Sequence, residues 1–390
     1  ANGFPHSNTV SMSRIPRDQV ADLVEAVVGE PPSQTMVDEI AARTDGIPLF
    51  VVELARTISE ADPSTGHSDD LIPATLQGSL MARLDRLPAG VKSIAQTAAV
   101  IGRDFDRELL SKVLSFDAKA TDDAIEQLRR SQIIMRSAIS SDAFTFRHAL
   151  IQDAAYQSLL NSRRRSYHDI IAETLSADHS DVAETQPELI ARHFSEAERH
   201  EDALPLWKKA AERALARSAN TEAITHCERA IQASQNLRDP EATRQEALKC
   251  SILHGSALSY SGNLSGAMHV FRESVSMARE QNRPIDEAVA ALGYDNALFL
   301  SNERNRSPIE LMLPALEKLP LSESRRRCQL LGRLARAHLL LAEYEEAHDY
   351  NSRAIEIARE LDDQNALFDV LVNEFLMLAG RRTQPSAKDR

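Results

Sequence analysis

The stretch PELIARHFSEAERHEDALPLWKKAAERALARSANTEAITHCERAI, residues 187–231, contains small residues that recur at a fixed spacing. Ala191 and Ala203 are twelve positions apart, and so are Ala211 and Ala223. Two antiparallel helices can approach closely only where neither carries a large side chain, so each pair predicts the seam of a helical hairpin. This stretch therefore predicts a set of helices packed side by side.

The same spacing returns at Gly255 and Ala267 and again at Ala335 and Ala347. We call these paired small residues the anchors. Two large aromatic residues, Trp207 and Phe271, lie four positions from an anchor. The rest of the chain from residue 149 onward is predicted to be helical, with breaks near 178–187, 236–241, 281–284, 302–308 and 319–323. The pattern resembles the tetratricopeptide repeat, which implies an α-solenoid of stacked hairpins. We expect repeats longer than the standard ~34 residues.

The composition also favours helices and excludes several classes of protein. Aromatic residues make up 5% of the chain, and the net charge is −13. That charge argues against nucleic acid or an anionic membrane as the main partner. No apolar run approaches the ~20 residues that span a bilayer, and Cys227, Cys250 and Cys328 form no C-x-x-C pair. We expect a cytoplasmic protein with reduced, buried cysteines.

Before the repeats, the spacing of apolar residues is first typical of helices and then typical of β-strands. Four helices are predicted at about 74–86, 90–101, 106–115 and 121–131. The segment QIIMRSAISSDAFTFRH, residues 132–148, places two short apolar runs around a polar turn, as in a β-hairpin. Helices followed by a hairpin is the order of a winged-helix domain.

A small helical region precedes the winged helix. Apolar residues at helical spacing predict two short helices over 20–27 and 36–41, and residues 8–15 the end of a strand. Gly46 is placed to end the second helix, and Pro48 to begin a third over 48–59. The polar segment 59–73 is rich in turn-forming residues and marks a boundary.

The chain lacks the elements that bind and hydrolyse nucleoside triphosphates. It contains no Gly-Lys dipeptide, so there is no Walker A loop. A strand ending in paired acidic residues is also absent, and no metal-ligand or nucleophile motif is present. We therefore predict no catalytic residue, no metal site and no ATP hydrolysis by that route in this chain.

The segment RTDGIPLFVVELART, residues 43–57, resembles the Gly-x-Pro motif of STAND-class signalling ATPases. In that family the proline of the helical lid contacts adenine, which implies a cofactor-binding role for Gly46, Ile47, Pro48 and Leu49. The segments 72–88, 98–110 and 146–175 follow in order and resemble the winged-helix and connector parts of bacterial members. Such proteins are often fused to class III adenylate or guanylate cyclases. A helix stop and restart is the structural alternative for these residues.

His148 is the second candidate for a nucleotide contact. RHALIQDAA, residues 147–155, resembles the Met-His-Asp position of related switches, whose histidine reaches the β-phosphate of ADP. Arg147 and Ala149 stand where the family has Met and Asp. The alternative is a histidine packed between the wing and the connector helix.

We therefore expect a mainly α protein with a helical lid, a winged-helix domain with a short β-hairpin, and a tetratricopeptide-like α-solenoid. The predicted domains are 1–62, the end of an ATPase core and the lid; 71–150, the winged helix; 151–180, the connector helix; and 181–390, the repeats. The opening without Met suggests an internal fragment, so ATP or ADP is expected to bind tightly only in the intact protein.

The expected function is the sensor part of an ATP-switch signalling protein, with a cyclase as output. Its expected partners are a protein or peptide on the repeats, and the ATPase core and output domain of the same chain. Two alternatives are a repeat scaffold without a nucleotide role and a transcriptional regulator that uses the winged helix. DNA is not the expected partner, because the would-be recognition helix TDDAIEQLRR, residues 121–130, begins with acidic residues.

Overall fold

The computed structural model describes residues 15–44, 47–59, 76–114, 118–137, 142–178 and 180–383. The chain forms two compact units that meet in sequence between Thr174 and Leu175. The predicted strand end at 8–15 and most of the linker 59–73 lie outside the described residues. The domain boundaries given above remain predictions.

The first unit begins with three helices that share a small core. Their bounds are α1, Arg17–Val28; α2, Gln34–Thr44; and α3, Pro48–Ser59. Val24 from α1, Ile40 from α2 and Val51 from α3 are completely buried in this core. The two predicted amphipathic helices and the third helix over 48–59 are confirmed.

Six helices and three strands follow in the chain. Their bounds are α4, Leu76–Asp85; α5, Ala89–Ile101; β1, Asp104–Asp106; α6, Arg107–Leu114; α7, Ala118–Arg130; β2, Ile134–Arg136; β3, Ala143–Phe146; α8, Ala149–Gln157; and α9, Asn161–Asp178, which runs on into the second unit. The strands form an antiparallel sheet in the order β1-β3-β2. The hairpin was predicted, but β1 was not. Its alternating burial around Phe105 is a three-residue signal, too short to separate from a helix start.

The predicted connector helix is two helices, α8 and α9. The Tyr156 hydroxyl in α8 lies 3.0 Å from His168 Nε2 in α9, and the guanidinium of Arg164 lies 4.4 Å from the centre of the Tyr156 ring. The basic run SRRRSYH, residues 162–168, predicts a solvated, ion-paired face over Arg163–Arg165, and this expectation is wrong for Arg164. This side chain packs on an aromatic ring instead.

The second unit is entirely helical over its described residues. Its further helices are α10, Ser180–Thr185; α11, Pro187–Glu196; α12, His200–Ala216; α13, Asn220–Ser234; α14, Pro240–Tyr260; α15, Leu264–Glu280; α16, Pro284–Leu300; α17, Ser307–Lys318; α18, Ser324–Leu340; α19, Tyr344–Glu360; and α20, Gln364–Thr383. Consecutive helices from α10 to α20 pack on each other, and α14, α16, α18 and α20 also contact one another in succession. The predicted array of helical hairpins is confirmed.

The anchor residues lie at the seams that the sequence predicted. Ala191 and Ala203 join α11 to α12, and Ala211 and Ala223 join α12 to α13, all four completely buried. Helix α12 therefore belongs to two seams, one with α11 and one with α13. Helices α16 and α17 also form a hairpin, in which the buried Asp295 stands at the position that alanine or glycine occupies in the other pairs.

A step of 20 residues recurs through the array, and α17, with 12 residues, departs from it. Helices α15, α16, α18 and α19 have 17 residues each, and three-residue turns follow α15, α18 and α19. The residues in left-handed backbone conformation from α14 onward are Gly262, Asn282, Asn302, Ala342 and Asp362. The turns close by backbone bonds typical of Schellman motifs, such as Asn263 N–H to Leu258 O at 3.0 Å. One hairpin thus takes 40 residues, which confirms the predicted excess over the standard repeat.

Two of these turns offer a reciprocal test of the backbone geometry. Gly262 has φ 84° with nothing near its missing Cβ, and Ala342 has φ 62° at the equivalent position two hairpins later. Gly262→Ala is expected to lower, and Ala342→Gly to raise, the free energy of unfolding by about 0.5–1 kcal/mol. The left-handed strain of alanine exceeds the extra entropy of glycine in the unfolded chain. Urea denaturation measures both, and shifts of the same sign would contradict the assignment.

Candidate functional site

Pro48 begins helix α3, as the sequence predicted. The Ile47 carbonyl accepts the first helical hydrogen bond, from Val51 N–H at 3.1 Å. Pro48 needs no partner at this position because it has no N–H. Its ring is exposed, so a ligand has access to it. Leu49 lies in the first turn of α3, but its side chain and all of Gly46 lie outside the described residues.

His148 lies at the junction between β3 and α8. Its backbone is extended, with φ −135° and ψ 139°, and its carbonyl accepts a bond from Ile151 N–H at 3.0 Å. The half-buried imidazole does not cap the helix, and the first turn of α8 contains no acidic residue. The N–H groups of a helix start favour an anion, so nothing in this turn opposes a phosphate.

Helix α4 packs against both α3 and α8. Each candidate residue therefore lies at the beginning of a helix that α4 contacts, and both belong to the first unit. Sequence order alone left this arrangement open. Whether the two residues contact a nucleotide remains a prediction.

Helix α7, the would-be recognition helix of the winged-helix domain, carries both basic and acidic side chains. In α7, Glu126 pairs with Arg129 at 2.6 Å and with Arg130 at 3.2 Å. Asp122 of the same helix accepts a bond from Arg107 Nη2 at 2.7 Å. Both arginines thus share one carboxylate of their own helix, and the exposed carboxylates near its start add further negative charge. These carboxylates weaken the attraction of this surface for phosphates.

The chemistry available elsewhere is limited. The three cysteines are buried, and burial raises the pKa of Cys227 to about 12 and that of Cys250 to about 11. These thiols are protonated at neutral pH and act as small apolar side chains, as expected. Within the described part of the chain, no group of three His, Cys, Asp or Glu residues could hold a metal ion.

A groove between α16, α18 and α20 is a feature of the second unit that the sequence did not predict. Its volume is about 480 Å³, within the range of ligand-binding clefts. Apolar side chains that line it include Phe299 on α16 and Phe368 on α20, with exposed fractions of 46% and 68%. Arg333 and Arg336 on α18 form its basic wall, and Asp369 lies on the α20 wall.

A buried ion pair fixes one side of the groove. Arg336 donates from Nη2 to Asp295, and its guanidinium lies 4.1 Å from the centre of the Phe299 ring. Burial raises the pKa of the Asp295 carboxyl, although Arg336 and Arg333 oppose the rise, and burial lowers the pKa of Arg336. Desolvation thus outweighs attraction for both partners, a common balance for buried pairs. Arg333 makes no ion pair with a described acidic side chain.

The sequence did not predict this groove because its residues come from three helices that begin 40 residues apart along the chain. One signal was present in α20: Phe368, Val372 and Leu376, which line the groove, add a second apolar stripe to a helix that also has a buried face. A helix with more apolar surface than one face requires indicates an additional contact.

No family model matches the chain. Over 253 residues it is 28% identical to an uncharacterized protein, R02095, of Rhizobium meliloti strain 1021. The alignment covers 62% of this chain and 24% of that protein, so the chain corresponds to about a quarter of the length of the curated relative it matches.

Among solved structures, the chain is similar to the apo form of RapI, with 13% identity, a TM-score of 0.45, and coverage of 92% of this chain and 82% of that chain. It is also similar to a STAND protein with a tetratricopeptide repeat sensor from Pyrococcus horikoshii, with 10% identity, a TM-score of 0.37, and coverage of 92% and 62%. A third is the Rap conjugation gene regulator of plasmid pLS20 in complex with the Phr* peptide, with 13% identity, a TM-score of 0.37, and coverage of 78% and 83%. At these TM-scores the likenesses define neither fold nor function, and the repeat architecture rests on the helices and turns described above.

In the part of the chain that the structure describes, no helix is both long and apolar enough to cross a membrane.

Proposed function

We propose that this chain is the sensor and regulatory part of a STAND-class ATP-switch signalling protein. The repeats of the second unit bind a protein or peptide. The lid helix α3 and the winged helix of the first unit contact a nucleotide that an ATPase core of the same protein holds. A bound partner shifts the population between closed and open states through its differential affinity for them. A class III cyclase is the proposed output.

The observation that carries the proposal is the succession of modules in one chain. A helix begins at Pro48, a three-stranded winged helix follows, His148 precedes α8, and the hairpin array comes after them. The contacts of α4 with both α3 and α8 support a joint response of lid and winged helix.

A scaffold without a nucleotide role is the second candidate, and the groove of the second unit is consistent with it. Binding of a partner by the repeats is common to both candidates. They differ in whether the first unit responds to nucleotide. The ion pairs within α7 speak against the third alternative, a DNA-binding regulator.

Substitutions at the two candidate residues test the nucleotide role in the intact protein. Pro48→Ala is expected to weaken ADP and ATP alike, because both carry adenine. His148→Ala is expected to weaken ADP selectively, by about ten- to hundredfold, the equivalent of one charge-assisted hydrogen bond of ~1.5–3 kcal/mol. Isothermal titration with each nucleotide measures both effects.

Matched controls lie in the second unit. Pro240 is an exposed proline at the start of α14, and His269 is an exposed histidine of α15. Pro240→Ala and His269→Ala are expected to leave both affinities unchanged. Equal, small effects of His148→Ala on the two nucleotides would remove its phosphate role. If Pro48→Ala also leaves the nucleotide affinities unchanged, residues 43–57 form only a connection between two helices. The scaffold without a nucleotide role would then be the remaining candidate.

A further inference from the structure

We propose that the groove between α16, α18 and α20 binds a peptide segment in which an acidic side chain lies between large apolar side chains. This inference rests on the proposed partner-binding role of the repeats and specifies its chemistry. The carboxylate of the ligand faces Arg333, and its apolar side chains contact Phe299 and Phe368.

The apolar part of the argument comes from exposure. Phe368, Val372 and Leu376 follow each other along α20 at helical spacing, and all three line the groove. They are 68%, 39% and 48% exposed, while Val370 and Met377 of the same helix are buried. The helix thus has its packing face satisfied and places a second set of large side chains on the groove wall. A contiguous exposed apolar set around a concave site marks a binding surface.

The charged part comes from α18. In a chain with a net charge of −13, this helix places Gln329, Arg333 and Arg336 along one side of the groove. Arg336 is committed to Asp295 and to the Phe299 ring, so its position is fixed. Arg333 is half-buried and attracts the Asp295 carboxylate, which Arg336 already binds, but it makes no direct ion pair with a described carboxylate. A partly desolvated arginine of this kind gains most from an added carboxylate.

The opposite wall sets the orientation of the ligand. Asp369 on α20 lines the groove and would repel a carboxylate on its side. Asn373 next to it uses its Nδ2 to bond the Gly332 carbonyl at 3.0 Å, which ties α20 to α18 and holds the two walls together. The acidic side chain of the ligand therefore points to α18. A basic side chain or a backbone N–H suits the α20 wall, because each can donate to Asp369.

A display library of random octapeptides, selected on the 390-residue chain, tests the proposal. Peptides with Asp or Glu flanked by Leu, Ile or Phe are expected to be enriched. A synthetic peptide from that selection is expected to bind at least tenfold more tightly than its Glu→Lys counterpart by fluorescence anisotropy. Arg333→Glu should reverse this preference, and Arg333→Gln should abolish it.

Arg359→Glu supplies the matched control, because Arg359 is exposed on α19, which does not line the groove. It carries the same charge change and should keep the wild-type preference. Absence of acidic enrichment, or a preference that Arg333→Glu leaves unchanged in a variant with wild-type circular dichroism, would overturn the proposal. Selected peptides that bind independently of Arg333 would overturn the groove assignment but leave partner binding by the repeats intact. The nucleotide role is tested separately through Pro48 and His148.

Discussion

Phe271→Ala is expected to lower the free energy of unfolding of the second unit by about 3–5 kcal/mol, the usual cost of removing a buried phenylalanine. The Phe271 ring in α15 is 3% exposed and lies against two glycines of neighbouring helices. A Cβ at Gly255 in α14 would lie 2.9 Å from Phe271 Cε1, and one at Gly293 in α16 would lie 2.5 Å from its Cζ. With bare backbone on either side, little can collapse into the space that the ring leaves.

The glycines allow the same contact to be tested from the other side. Gly293→Ala is expected to destabilise by about 1–3 kcal/mol through overpacking. Combined with Phe271→Leu, the two changes should cost less than the sum of their separate effects, because the smaller side chain makes room for the new methyl group. Urea denaturation followed by circular dichroism measures all variants. Phe368→Ala, at an exposed position, serves as control and is expected within about 0.5 kcal/mol of wild type. A Phe271→Ala loss no larger than that of the control would disprove the packing.

Trp207→Ala is expected to cost a similar amount, about 3–5 kcal/mol. Trp207 in α12 is 7% exposed, donates from Nε1 to Ser195 Oγ in α11 at 2.9 Å, and lies 5.6 Å from the His226 ring in α13. One side chain thus joins three consecutive helices. Its loss removes apolar burial at both seams of α12.

Ser195→Ala separates the hydrogen bond from the packing. It leaves Trp207 in place with its buried indole N–H unpaired, and about 1–3 kcal/mol is the expected loss. Trp207 is the sole tryptophan of the sequence, so its fluorescence reports unfolding in Ser195→Ala, while Trp207→Ala requires circular dichroism. A melting curve unchanged by Trp207→Ala would mean that the seams between α11, α12 and α13 are wrongly placed.

Some candidate site residues can be recognised from local sequence, and others only from the tertiary structure. Gly46, Pro48 and His148 were proposed as site residues from local sequence, because helix ends and strand-to-helix junctions have characteristic residues within a few positions. For the groove, the sequence offered only the surplus of apolar residues in α20. Phe299, Arg333 and Phe368 are each ordinary surface or core candidates in sequence, and only the repeat spacing brings them to one cavity. The burial of Asp295 at an anchor position was also unpredictable, since its compensation by Arg336 comes from 41 residues away.

The sequence by itself determined the helices, their hairpin pairing and a repeat longer than the standard one. Helical periodicity and small anchors such as Ala211 and Ala223 are local consequences of how closely two helices can pack. Only the tertiary structure decided the third strand β1, the sharing of α12 between two seams, and the walls of the groove. Each of these depends on pairings between segments distant in sequence, and the free energy of such pairings comes from burial and hydrogen bonds that no local pattern encodes.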